Sequence, residues 1–157
     1  MADSQRLAIR KNLQAALQAI SRASGYHNDV KATSVRRDPV YLLTVPPTEL
    51  PFFVLGETDP LQRVFTPALG VEDHILVKLY ARVDSPGLDT SQKDDAFENL
   101  LADIERALTV DITRGGNASD TRLHPAEAAA MGAANQPIVI LSQAIEIRGA
   151  LRIYGQP

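Results

Sequence analysis

Three histidines are the residues of this 157-residue chain best suited to chemistry, and their spacing gives them no common site. None of His27, His74 and His124 lies at metal-ligand spacing from another histidine or from an acidic pair on a helix. The chain contains no cysteine, which excludes disulfides, thiol catalysis and cysteine-ligated metals. We therefore expect surface histidines, no metal site and no cofactor.

Two other groups resemble binding sites but have simpler interpretations. Residues 114–117 (RGGN) contain adjacent glycines but lack the lysine and the strand–loop–helix setting of a phosphate-binding loop, which favours a flexible turn. Five acidic residues spread around the solvent side of a predicted helix and favour a solvated face over a carboxylate site: Asp94, Asp95, Glu98, Asp103 and Glu105. No serine occupies a G-x-S-x-G nucleophile elbow. With no catalytic constellation in the sequence, we expect a protein that is not an enzyme.

Length and composition indicate one domain with a mainly aliphatic core. The chain is 45% hydrophobic and contains four Phe, four Tyr and no Trp. Its net charge is -3, and its 16 scattered basic residues form no polybasic face for nucleic acid or membrane. Residues 1–12 lack the apolar core typical of a signal peptide, and no run in the sequence approaches the roughly 20 apolar residues that span a bilayer. We expect a single soluble domain over residues 1–157 that is intracellular when made.

Residues 137–154 predict the long strand around which the chain is organised. Its side chains alternate between an aliphatic face and a solvent-facing one. The aliphatic face has Ile145, Ile147, Leu151 and Ile153, and the solvent-facing one has Glu146, Arg148, Arg152 and Tyr154. At about 3.3 Å per residue the strand would reach roughly 50 Å, so it either bends near Gly149 or extends beyond the domain. Residues 75–83 alternate in the same way, which predicts that both strands belong to one half-solvated antiparallel sheet.

Two amphipathic helices are predicted, at residues 4–22 and 91–108. Their apolar stripes are Ile9, Leu13, Ala16, Leu17 and Ile20 in the first and Phe97, Leu100, Leu101, Ile104 and Leu108 in the second. Asp3 or Ser4 would cap the first helix and Ser91 the second. Short strands are predicted near Val35, at 40–45 and at 50–55. The predicted fold class is α+β, with both helices packed on one face of a mixed or mainly antiparallel sheet.

Two segments, 57–70 and 110–136, are too long for ordinary connections and predict mobile loops. Within the second loop, residues 126–131 are compatible with a short helix. Lone apolar or charged loop residues are expected to contact partners: Arg63, Phe65, Arg114 and His124. Charged residues on the wet strand faces complete the expected partner interface: Lys78, Arg82, Arg148 and Arg152.

The order of these features resembles the tail terminator, or minor tail, proteins of long-tailed bacteriophages. An N-terminal amphipathic helix leads through Gly25-Tyr26 to a short strand containing Val35-Arg36. A strand opened by ELP at 49–51 continues as FFVL at 52–55, and the long strand at 75–83 follows. After the helix with FxxLLxDIxxAL at 97–108, the last strand ends in IYGxP at 153–157. The resemblance covers nearly the whole chain and rests on the order of the predicted elements and on the pattern of residue types within them.

The resemblance implies a structural subunit of the virion tail and neck that is assembled in the host cytoplasm. Such subunits form a ring, expected to be a hexamer, that caps the head-proximal end of the tail tube and stops its polymerisation. The implied partners are further copies of the chain, the tail tube protein and head-completion or neck proteins. DNA would pass through the ring without specific recognition, and no catalytic residue is implied.

Two alternatives stay open at this level. The first is a head–tail joining protein of the same virion, which would bind the portal side instead of the tube. The second is a small cytoplasmic α+β enzyme or ligand-binding protein, which would need a concave pocket with convergent polar groups or ionisable residues of shifted pKa.

Overall fold

The computed structural model describes residues 4–65, 70–83, 89–131 and 138–153 and has an α+β fold. The two helices are α1 (Gln5–Gln18) and α2 (Thr90–Thr109). The strands are β1 (Val35–Arg36), β2 (Phe52–Phe65), β3 (Gly70–Arg82), β4 (Asp120–Leu123), β5 (Glu127–Met131) and β6 (Ile138–Ile153). Short 3-10 turns lie at Arg22–Ser24, Ala32–Ser34, Leu42–Thr44 and Pro47–Glu49.

One six-stranded mixed sheet contains all of these strands. Its order is β1-β2-β3-β6-β4, and β5 also pairs with β6. Only β1 and β2 are parallel among these pairs, and β3 and β6 are antiparallel neighbours, with Ile75 opposite Ile147. The predicted pairing of the two long strands in one sheet is therefore confirmed. β4 and β5 follow one another along the other edge of β6.

Both helices cover the aliphatic face of this sheet, as predicted. Because side chains alternate along a strand, β3 buries Ile75, Val77 and Leu79 on that face and exposes Lys78 on the other. The helices contribute Ile9, Leu13 and Leu17 from α1 and Leu100, Ile104 and Leu108 from α2 to the same core. We call this the inner face and the opposite one the outer face.

The helix starts follow local capping chemistry. Ser4 caps α1 by accepting a hydrogen bond from the Leu7 amide at 3.3 Å, whereas Asp3 lies outside the described residues. The expected cap of α2 at Ser91 is wrong, because Asp89 takes this position. The Asp89 carboxylate accepts from the Gln92 amide at 2.8 Å, and the Gln92 side chain accepts from the Asp89 amide at 3.0 Å. This reciprocal capping box satisfies two amides at the helix start.

Residues 40–46 cover part of the outer face instead of forming the strand predicted at 40–45. Leu42–Thr44 is a 3-10 turn, bounded by Pro39 and by Pro46-Pro47, whose nitrogens cannot donate to a strand ladder. The segment packs its apolar side chains on β2 and forms a second, smaller cluster there: Val40, Leu42, Val45, Leu50, Phe52 and Val54.

The loop predicted at 57–70 is largely a pair of strands. β2 runs to Phe65 and β3 begins at Gly70, so only residues 66–69 fall outside the described part. Register irregularities between Leu55 and Thr58 and between Pro60 and Gln62 place extra residues in β2. Such bulges allow a proline-containing segment to stay paired, which sequence periodicity does not reveal.

The loop predicted at 110–136 contains two strands, and the short helix expected at 126–131 is wrong. β5 occupies that stretch and pairs with β6 from Glu127 opposite Ser142 to Met131 opposite Ile138. Pairing with a long neighbouring strand overrides the helical preference of its three alanines. Residues 132–137 lie outside the described part.

β6 is a single strand of 16 residues with an irregularity at the predicted position, Gly149. Its register against β3 shifts between Asp73 and Ile75, and Gly149 has a left-handed φ of +83°. The backbone is described up to Ile153. The side chains of Leu151, Arg152 and Ile153, whose faces were predicted, and the whole of Tyr154 lie outside the described part.

Candidate functional site: the outer face and the free edge of the sheet

A groove of about 490 Å³ lies on the outer face of the sheet. Lys78 and Tyr80 of β3 form part of its floor because their neighbours in the strand point into the core. The wall comes from the connection between β4 and β5, which contributes His124, Pro125 and Glu127.

An extra residue in the β4–β5 connection builds this wall. Leu123 lies opposite Ile145 and Glu127 opposite Ser142, so three residues of the connection face two residues of β6. The His124 amide donates to the Ala144 carbonyl at 3.0 Å. The buried Gln143 side chain donates to the His124 carbonyl at 2.9 Å. These bonds fix His124 at the rim of the groove.

A charged cluster lies beside the groove and centres on Glu146. The His124 Nε2 atom lies 3.6 Å from one Glu146 oxygen, and the Arg148 Nη2 atom lies 3.3 Å from the other. Burial of the Glu146 carboxyl raises its pKa. The hydrogen bonds and charges of Arg148 and His124 lower it by more, so the pKa of Glu146 lies below its ordinary value. Glu146 is therefore an ionised carboxylate whose protein partners hold it in place.

The carboxylate of Glu146 is not tuned for proton transfer near neutral pH. A general base or acid that works near neutral pH needs a carboxyl pKa raised towards 7, and the pKa of Glu146 is shifted the other way. In residues 4–65, 70–83, 89–131 and 138–153, no group of three His, Cys, Asp or Glu side chains is arranged to hold a metal ion.

Three of the eight residues expected at a partner interface come together here. Lys78 and His124 line the groove, and Arg148 lies next to it through its ion pair with Glu146. Arg63, Phe65 and Arg152 belong to strands, and their side chains lie outside the described part.

The structure contradicts the assignment of Arg82 to a wet, partner-facing surface. Arg82 is only 2% exposed, because residues 40–46 fold over it. Its Nη1 atom donates to the Val45 carbonyl at 2.6 Å and to the Leu42 carbonyl at 3.3 Å. Arg82 therefore anchors this covering segment, whose carbonyls would otherwise lack partners.

Arg114 is likewise buried and offers no side chain to a partner. It has a φ of +50°, and its Nη2 atom donates to the Leu108 carbonyl near the C-terminal end of α2. Burial lowers the pKa of Arg114, and the charge of Asp111 opposes this shift. A cation at this end complements the helix dipole, so Arg114 is a structural cap.

Asp103 is a buried carboxylate that the sequence interpretation placed on a solvated face. Its oxygens accept hydrogen bonds from the His27 amide at 2.9 Å and from the Asn28 amide and side chain at 2.9 and 2.8 Å. The spacing contained a signal, because Asp103 lies three residues after Leu100 and next to Ile104 and so borders the apolar stripe.

β5 provides a free edge that the sequence interpretation also missed. Every residue of Glu127–Met131 is exposed, and β5 has no neighbour other than β6 among the strands that the structure describes. Its side chains are short in the middle, with three consecutive alanines. An exposed edge strand presents a row of unpaired amides and carbonyls that a further strand can join.

Comparisons with known proteins found no relative of this chain. No protein-family model matches the chain, and no curated protein matches it at a significant level. Within the described residues, no helix has both the length and the apolar character needed to cross a membrane.

Proposed function

We propose that this chain is the tail terminator of a long-tailed bacteriophage. In this role, copies of the chain form a ring, hexameric by resemblance to that family, at the head-proximal end of the tail tube. The ring stops tube polymerisation and prepares the tail for head attachment, and no chemical reaction is involved. The observation that carries the proposal is β5, an exposed edge strand at the end of a six-stranded sheet.

A ring requires two different surfaces on each subunit, because only a heterologous contact closes into a ring of more than two copies. The two edges of this sheet differ as required. One edge holds the two-residue strand β1 beside the much longer β2, and the other holds β4 and β5. Edge strands associate through main-chain hydrogen bonds, which need no particular side chains.

The long strands supply a second feature suited to a tube cap. Residue pairing places Phe65 opposite Val71 and Val71 opposite Arg152, so β2, β3 and β6 reach the same end of the sheet. Such a three-stranded end provides an extended platform for the tube protein on one side of the ring. The outer face with Lys78, His124 and Arg148 would meet tube or neck proteins, and DNA would pass through the ring without specific recognition.

The decisive experiment measures tail length by negative-stain electron microscopy in lysates of the encoding phage with this gene interrupted. We expect overlong, headless tails of irregular length, because nothing would stop tube growth. A plasmid copy of the intact gene is the control and should restore uniform tails. Tails of normal length beside separate filled heads would instead identify a head–tail joining protein, and intact infectious particles would overturn both structural roles.

A further inference from the structure

The charge of this chain is divided between two segments. Residues 4–49, which contain α1 and β1, have seven Lys or Arg and three Asp or Glu, a net charge of +4. Residues 89–131, which contain α2, β4 and β5, have four Lys or Arg and nine Asp or Glu, a net charge of -5. The overall charge of -3 conceals this asymmetry.

The topology places the strands of the two segments at opposite edges of the sheet, while α1 and α2 pack next to each other on its inner face. β1 forms one edge, and β4 and β5 form the other. α1 packs against β1 and β2, whereas α2 packs against β4 and β6. We call the side formed by α1 and β1 the basic side and the side formed by α2, β4 and β5 the acidic side.

The ion pairs within the basic side do not neutralise it. The three acidic residues of residues 4–49 lie outside α1 and β1 and have basic partners in the same segment: Asp29 with Arg22, Glu49 with Lys31, and Asp38 with Arg36. The excess positive charge includes Arg10, which donates to the carbonyls of Arg37 and Leu55 and so has neutral acceptors there. Arg37 donates to the Gln14 side chain, again a neutral acceptor.

The charge of the acidic side is exposed and also not neutralised. Asp94, Asp95, Glu98 and Glu105 are exposed on α2, and none of them has an ion-pair partner among the residues that the structure describes. Arg106, the basic residue in the last turn of α2, lies 4.7 Å above the Tyr26 ring and donates to the Gly25 carbonyl. These carboxylates are therefore available to a second molecule.

We propose that copies of this chain associate head to tail, with the acidic side of one copy against the basic side of the next. This inference rests on the proposed ring and names its interface. Opposite charges on the two sides favour this heterologous contact and disfavour the acid-to-acid and base-to-base contacts of a symmetric dimer. The free edge of β5 belongs to the acidic side, so charge pairing would also orient it for backbone pairing with the neighbouring copy.

Charge reversal on one side at a time tests this interface. Variant A carries Arg6→Glu and Arg36→Glu and so weakens the basic side, whereas variant B carries Asp95→Lys and Glu98→Lys and weakens the acidic side. Each variant alone should associate far less than the wild type in sedimentation velocity, because variant A brings the charge of residues 4–49 from +4 to 0 and variant B brings that of residues 89–131 from -5 to -1. An equimolar mixture should form A–B heterodimers, because the unaltered acidic side of A can meet the unaltered basic side of B. Growth beyond the dimer should stop there, since the two altered sides no longer have opposite charges.

The wild type sets the reference for this experiment. We expect oligomers at about 0.1 M salt that dissociate towards monomers at about 1 M salt, where the screening length falls from about 10 Å to about 3 Å. Neutral versions of the variants, Arg6→Gln with Arg36→Gln and Asp95→Asn with Glu98→Gln, are matched controls. They should weaken association less than variants A and B, because each neutral pair changes the charge of its segment by two units instead of four. Circular dichroism and urea unfolding check that each variant is folded.

Several outcomes would overturn the interface. The first is a wild type that stays monomeric at about millimolar concentration in low salt. The second is that variants A and B each assemble like the wild type. The third is a mixture of A and B that stays monomeric. The test is independent of tail biology. Restored assembly in the mixture together with normal tails after gene interruption would keep the interface and remove the terminator role, whereas overlong tails without restored assembly would do the reverse.

Discussion

The carboxylate of Asp103 joins α2 to the segment that follows α1. It accepts the backbone amides of His27 and Asn28, two donors that would otherwise be left without partners in a part-buried place. Hydrogen bonds to a charged acceptor are stronger than those between neutral groups, and an unsatisfied buried donor is costly. Asp103 therefore holds residues 27 and 28, which lie between the 3-10 turns at Arg22–Ser24 and Ala32–Ser34, against α2.

Replacement of Asp103 by Ala should lower the free energy of unfolding by about 2–4 kcal/mol, because two amides and the Asn28 side chain lose their acceptor. Urea unfolding followed by circular dichroism measures this change. Glu105→Ala is the matched control, since Glu105 is exposed in the same helix and its carboxylate has no partner among the described residues, and it should change stability by about 0.5 kcal/mol or less. Equal losses in the two variants would contradict the proposed role of Asp103.

Sequence alone could predict residue roles where the pattern is local. The aliphatic alternation of β3 and the Ser4 cap follow from strand periodicity and capping chemistry. Arg82 and Arg114 could not be predicted in the same way. The burial of Arg82 depends on residues 40–46, which are distant from it in sequence. Arg114 lies only six residues after Leu108, but it reaches that carbonyl through a turn whose left-handed backbone at Arg114 the sequence did not indicate.

At the scale of elements, the irregularity in β6 determines how β4 begins. The Ser119 amide donates to the Arg148 carbonyl at 2.8 Å, and the Ser119 hydroxyl donates to the same carbonyl at 3.2 Å. A Cβ atom on Gly149 would lie 1.9 Å from the Ser119 Oγ atom and 2.9 Å from its backbone nitrogen. Glycine is therefore required both by its φ of +83° and by the close approach of this chain segment.

Gly149→Ala should destabilise the protein by about 1–2 kcal/mol through its left-handed backbone and by about 1–3 kcal/mol more through the contact with Ser119. Gly116→Ala provides the comparison, because Gly116 has a φ of +84° but no atom lies within 4 Å of an added Cβ. That variant should show only the backbone contribution. The difference between the two unfolding free energies measures the steric contact, and a difference near zero would show that Ser119 moves away without penalty.

Elements with strong periodicity were predictable, and elements defined by their neighbours were not. Both helices and both long strands match the expectation, because each has its own apolar face. β5 has no such face, since all its residues are exposed, and it is a strand only because β6 is beside it. The extension of β2 to Phe65 was hidden for a related reason, since Pro60 and two bulges interrupt its alternation.

At the scale of the whole molecule, acid should destabilise the fold. Hydrogen bonds from neighbouring groups lower the pKa of the carboxyls of Asp38, Asp111 and Asp120, and Arg148 and His124 lower that of Glu146. A pKa that is lower in the folded state stabilises the protein above the unfolded-state pKa of about 4. This stabilisation is lost as the pH falls through the folded-state values.

We therefore expect the free energy of unfolding to be nearly constant from about pH 7 to pH 5 with respect to these carboxyls, and to decrease below about pH 4. Glu146→Gln should be less stable than the wild type at neutral pH. The difference between the two unfolding free energies should become smaller as acid protonates Glu146 in the wild type. Urea unfolding at several pH values measures both curves. A gap that stays constant down to pH 3 would show that charge on Glu146 does not contribute.

The sheet order has a consequence for how this protein is made. β3 ends at Arg82, but its neighbour β6 begins at Ile138, and α2, β4 and β5 lie between them in the chain. At about 5–20 residues per second, a ribosome needs on the order of several seconds to synthesise that interval. During this time β3 is paired with β2 along one edge, while its other edge, which β6 later occupies, has no partner strand. Pairing so distant in sequence also slows folding, so the apolar side chains of β3 stay exposed for longer while the chain is being made.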